Sequence, residues 1–153
     1  MTKFNDAEQL AAQYLQDDII SWNVVGGSKK NQRFVKKTFR KLENELGVDF
    51  KRDRSTDPEI VVDYVDSNFV DPDFGTDWLG IATIGSWGSA DILVKNDIDT
   101  WKSTAVHEIL HGLGLDHNHD VIESAMSYTR DYSKHKIYEY DWDLLHEIYD
   151  PLV

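Results

Sequence analysis

Apolar residues recur at helical spacing in four segments and gather into strand-length runs in five others. In residues 5–20, NDAEQLAAQYLQDDII, Ala7, Leu10, Ala11, Tyr14 and Leu15 share one face, and Asn5 with Glu8 reads as a capping box. Residues 31–46 carry Val35, Phe39, Leu42 and Leu46 on one stripe, with Gly47 where a C-terminal cap belongs. The opposite face holds Arg33, Lys36, Lys37, Arg40 and Lys41. A solvated face is the simpler reading of that charge, and a docking patch for something acidic the sharper one. A third helix is predicted over residues 100–112. A fourth, over 141–149, buries Trp142, Leu145, Ile148 and Tyr149 and is capped by Asp141.

The strand-length runs are SWNVV, VDF, EIVVDYV, LGIATIG and ADILV, each bounded by turn-forming residues. A loop over residues 66–77 separates the third run from the fourth. Strands are grouped between helices rather than alternating strictly with them, which predicts an α+β fold with a mixed sheet.

Composition narrows the picture. A chain of 153 residues, 41% apolar, with five tryptophans and seven tyrosines, suits one globular domain with a real core. Its net charge of −12 disfavours nucleic acid and anionic membrane as partners, and is compatible with basic substrates. The absence of cysteine excludes disulfides, thiolate catalysis and thiolate metal ligands. The N-terminus lacks the continuous apolar core of a signal peptide or membrane span. The expectation is a protein that is cytoplasmic as made, with export by an unusual route or action outside the cell left open.

The chemistry concentrates in HEILHGLGLDHNHD, residues 107–120, which hold four of the six histidines. His107 and His111 stand four residues apart, about 40° of rotation and one turn on a helix, so both imidazoles leave from one face. That spacing suits two ligands of one tetrahedral zinc, with Glu108 beside the first to hold a water. Gly112 and Gly114 let the helix stop and the chain reverse, bringing His117 back as a third ligand. Three imidazoles leave one coordination position open, as in catalytic rather than structural zinc sites. A chance match to HExxHxxGxxH in such a chain is on the order of one in 10⁵. His119 and Asp120 occupy no required position and read as exposed turn residues, with an accessory or alternative ligand as the other possibility.

His107, Glu108, His111, Gly114 and His117 resemble the extended zinc motif of the metzincin metallopeptidases. Met126, in SAMSY, resembles the methionine of the tight turn beneath the zinc in that family. Tyr128 resembles the serralysin and astacin branches, where this tyrosine ligates the resting zinc and swings away. The short His117–Met126 spacing and LHGLGLDH are matrixin-like, so the chain falls in the serralysin/matrixin neighbourhood.

The resemblance implies a twisted mixed sheet of about five strands with three main helices. A helix-and-sheet subdomain would span about residues 1–114, and a short C-terminal subdomain with the Met-turn and last helix about 115–153. It also implies that Leu79, Gly80, Ile81, Ala82, Thr83 and Ile84 form an edge strand that pairs with an extended substrate. Neither a cysteine switch nor a calcium-repeat region is present, so a bare, monomeric catalytic domain is expected. Asp66, Asp71, Asp73 and Asp77 lack EF-hand spacing and read as a solvated loop rather than a calcium site. The implied activity is zinc-dependent hydrolysis of peptide bonds in a protein or peptide substrate, with Glu108 as general base and Tyr128 as oxyanion donor. A non-catalytic zinc-binding module and a hydrolase of non-peptide amides are the alternatives.

Overall fold

The computed structural model describes residues 3–54, 57–85 and 88–153, and the side chains of residues 3–6 are left aside. The fold is α+β: four α-helices and a five-stranded mixed sheet. The order is α1 (Lys3–Tyr14), β1 (Ile19–Val25), α2 (Lys29–Leu46), β2 (Asp49–Arg52), β3 (Ile60–Val65), β4 (Gly80–Gly85), β5 (Ser89–Lys95), α3 (Trp101–Gly112) and α4 (Glu139–Tyr149), closed by a 3-10 turn.

The sheet order is β2-β1-β3-β5-β4. β1, β2, β3 and β5 run parallel, and β4 alone runs antiparallel, against β5. β3 alternates buried and half-buried residues along its length. Its Ile60, Val62 and Tyr64 join Ile20, Trp22, Val24, Ala90, Ile92 and Val94 in one buried surface. This period of two is what a sheet covered on one face requires. The helices supply the cover: α3 lies along β4 and β5, α2 along β1 and β2, and α4 meets α1 and α2. Trp22 stacks on Phe39 with ring centroids 4.7 Å apart.

Several boundaries differ from expectation. The first helix ends at Tyr14 rather than running to residue 20. Asp18 takes a left-handed φ of 64°, and Ile19 and Ile20 pair with Asp49 and Phe50. Sheet pairing at Ile20, wholly buried, outweighs helical periodicity there. At the other end the helix is already under way at Lys3, so Asn5 lies inside it rather than at its cap.

α2 begins at Lys29, two residues earlier than the expected start at residue 31, because Ser28 and Asn31 form the capping box. Gly47 closes it at φ 69°. Its cationic face is exposed. α4 starts at Glu139, so Asp141 is its third residue and reaches back to the Tyr138 N–H instead of standing at the cap. The main helices number four, not three, because α1 is a full core element through Ala7, Leu10, Ala11 and Tyr14. Among the described residues, no helix is long and apolar enough to cross a membrane.

Candidate metal centre

α3 carries the first part of the site. His107 and Glu108 are buried, and His111 is half-buried one turn on. The helix ends at Gly112, and the chain reverses through Gly114 at φ 110°. The Gly114 N–H donates to the His111 carbonyl and the Leu115 N–H to the Leu110 carbonyl, each at 3.0 Å. A Cβ on Gly114 would sit 2.8 Å from the Ala7 Cβ, so α1 approaches as closely as only glycine permits.

The three imidazoles converge. Nε2 of His111 lies 3.1 Å from Nε2 of His107 and 3.1 Å from Nε2 of His117. The three form the one such group of possible metal ligands among the described residues. Nδ1 of His107 lies 2.7 Å from the Ala125 carbonyl, and Nδ1 of His111 lies 2.7 Å from the Leu115 carbonyl. A carbonyl only accepts, so each Nδ1 carries the proton and each Nε2 bears a lone pair. Two lone pairs facing each other at 3.1 Å repel and cannot hydrogen-bond. A cation between them turns that repulsion into coordination. Two nitrogens at about 2.05 Å from a tetrahedral zinc stand about 3.3 Å apart, so the spacing fits that ion. The backbone carbonyls fix tautomer and ring orientation, as the outer partners of metal-bound histidines do.

Electrostatics agree with the geometry. Burial, joined by the neighbouring His111, Arg130 and His117, pushes His107 down to about 3, although its bond to Ala125 works the other way. Burial also lowers His111. Both rings are therefore neutral near pH 7, the ligating form. Burial raises Glu108 to about 7, and the charge of Arg130 partly opposes that rise. Glu108 Oε1 is 3.9 Å from Nε2 of His107, and its buried Oε2 has no hydrogen-bond partner.

Met126 is buried at 1% exposure. Its carbonyl accepts from Asn118 N–H at 3.0 Å, tying this turn to the residue after His117. The turn is anchored by Asp141, whose carboxylate accepts from Ser124 Oγ at 2.6 Å and Ala125 N–H at 2.8 Å. Tyr128 is 56% exposed. Its hydroxyl lies 3.5 Å from Nδ1 of His117, not the nitrogen of that ring that joins the cluster. His119 stacks on the Tyr128 ring, centroids 4.4 Å apart, and is no part of the nitrogen cluster; Asp120 is exposed.

A cleft of about 910 Å³ opens over the site. Its wall includes His107, Glu108, His111, Gly114, His117 and Tyr128, and, from the β4 side, Leu79, Gly80, Ile81, Ala82 and Ile84 but not Thr83. Leu79 precedes the strand rather than belonging to it. A Cβ on Gly80 would lie 2.8 Å from both Glu108 Cγ and Thr104 Cγ2, so β4 rests directly on the face of α3 that bears Glu108.

The acidic loop uses its carboxylates locally: Asp66 accepts from the Asn68 N–H, and Asp71 from the N–H groups of Asp73 and Phe74. Asp77 reaches the cleft wall. Two residues of the site carry no local signal. Asp141 reads as a cap, and Arg130 is one cation after a hydroxyl-rich turn; only folding sets them against Ala125 and Ser103. No protein-family model matches the chain, and no curated protein matches it.

Proposed function

We propose that this protein is a zinc-dependent endopeptidase of the metzincin type, with His107, His111 and His117 as its metal ligands. The observation that carries the reading is the convergence of three imidazole nitrogens, those of His107 and His111 bearing lone pairs, beside a buried carboxylate that has a free oxygen, at the wall of a peptide-sized cleft. Zinc, when bound, supplies Lewis acidity that polarises a carbonyl and acidifies a water.

The chain's own residues do the rest. The Glu108 carboxylate takes the proton of the attacking water and returns it to the nitrogen of the departing amine, so it ends as it began. Its raised affinity for a proton suits both transfers. The Tyr128 hydroxyl, exposed and held only loosely at His117, is the oxyanion donor after a side-chain rotation. β4 is an edge strand, and residues from Leu79 to Ile84 receive an extended substrate as the next antiparallel strand.

The rival of a non-catalytic zinc module gives no reason for Glu108. A buried carboxylate with an unpartnered oxygen is destabilising, and a structural site has no use for it. A hydrolase of small non-peptide amides gives no reason for an open sheet edge along the cleft.

The test is cleavage of unfolded casein by the zinc-loaded chain. Glu108→Ala should keep zinc and lose about 10²- to 10⁴-fold in turnover. Near-normal activity in that variant removes Glu108 as the base, and zinc bound without any cleavage of casein or shorter peptides removes the peptidase reading.

A further inference from the structure

Arg130 is the one buried cation of the cleft, and the peptidase reading uses only its charge near Glu108, not its hydrogen-bond donors. It is 6% exposed and stands on the cleft wall with Glu108, Thr104 and Tyr132. Its Nε donates to Ser103 Oγ at 3.0 Å, and its Nη1 to the Ser127 carbonyl at 2.9 Å. The Tyr132 ring covers it, centroid 4.1 Å from Cζ. A guanidinium has five N–H donors, so these two bonds leave three. Among the described residues, no carboxylate forms an ion pair with it. A buried cation lacking an ion-pair partner is destabilising unless something compensates it. Thr104, at 3% exposure on the same wall, adds an unpartnered buried hydroxyl. A planar fork of donors on the same cleft wall as a spare hydroxyl suits a carboxylate.

We propose that Arg130, assisted by Thr104, receives a carboxylate of the substrate beside the cut bond and thereby sets this enzyme's specificity. The inference rests on the peptidase reading. That carboxylate has two sources, an acidic side chain adjoining the cut bond or the free C-terminus of a short substrate. The net charge of −12 opposes an acidic ligand at long range, but that field is screened beyond about 8–10 Å in physiological salt, and Arg130 acts at contact.

The experiment measures binding to the zinc-loaded chain by calorimetry, together with the Arg130 Nε–H NMR signal. One pair of probes is the amidated tetrapeptides Asp-Ala-Ala-Ala and Asn-Ala-Ala-Ala. The other is tri-alanine with a free or an amidated C-terminus. In one pair the carboxylate peptide should bind on the order of 10-fold tighter than its neutral twin and shift the Arg130 signal. The preference should vanish in Arg130→Gln, persist in part in Arg130→Lys, and survive in Ser103→Ala. A purely structural tether predicts that Ser103→Ala and Arg130→Gln behave alike. The pair that discriminates names the source.

Equal binding within both pairs, no binding in either, or a preference that survives Arg130→Gln overturns the proposal. Cut sites mapped on a mixed peptide pool separate the two readings. Cutting with no carboxylate preference removes the role of Arg130 and leaves the peptidase. Arg130-dependent binding with no cutting keeps the carboxylate site and removes the peptidase.

Discussion

Gly114 shows how much of the site depends on one residue without a side chain. At φ 110° any other residue is strained, and a Cβ there would also press on Ala7 at 2.8 Å. The turn it allows brings the Leu115 carbonyl to Nδ1 of His111 and carries the chain on to His117. Gly114→Ala should therefore cost about 1–3 kcal/mol of stability and weaken zinc binding together. Thermal melts with and without zinc check this; an unchanged midpoint and unchanged zinc affinity would remove the turn from the account. At the same scale, the two carbonyl bonds to His107 and His111 matter more than the histidines' mere presence. They decide which nitrogen of each ring is offered.

Among the elements, α4 supplies none of the three clustered histidines but supports the proposed metal site. Its Asp141 is fully buried and accepts from Ser124 Oγ, Ala125 N–H and Tyr138 N–H. The Ala125 carbonyl in turn accepts from the His107 ring N–H, so one carboxylate joins the start of α4 to that ring's tautomer. Asp141→Ala strands three donors, each costing about 1–3 kcal/mol when buried and unsatisfied. It should also lower zinc affinity about 10- to 100-fold, as loss of an outer partner does. Urea melts paired with a zinc titration separate the two effects, and an unaltered zinc affinity in a folded variant would sever α4 from the site. α1 and α4 also hold the end of α3: Tyr14 OH donates to the Gly112 carbonyl at 2.7 Å, and Tyr149 OH to the Leu113 carbonyl at 2.9 Å.

Across the whole molecule, α2 and α4 are joined at their C-terminal ends by His146, which contacts Asp150 at 2.9 Å and Glu45 at 3.0 Å. The hydrogen bond to Asp150 and then that to Glu45 raise its pKa above the ordinary histidine value. The folded chain therefore holds this proton more tightly than the unfolded chain. The resulting stability is complete below about pH 6.5 and is lost as pH rises through the raised folded value. The groups are solvent-exposed, so the effect should stay below about 1 kcal/mol. Melts at pH 6 and 9 on the wild type and His146→Ala measure it, with the His146 ring titration read by NMR. A variant with the same pH dependence as wild type would show that the bridge adds nothing.

What local chemistry dictates could be read from the chain alone. The register of His107 and His111, the reversal at Gly114, the apolar stripe of α2 and the five strands all follow from periodicity and from conformational preferences of single residues. What required the tertiary structure were relations between residues far apart in sequence, which leave no periodic trace. Ile20 belongs to a strand because Phe50 pairs with it. β4 is an edge because the sheet order is β2-β1-β3-β5-β4. Asp141 and Arg130 acquire their places only when Ala125 and Ser103 fold against them. Burial then made Glu108 a weak acid and His107 a weak base, since a charge moved out of water changes its proton affinity wherever folding places it.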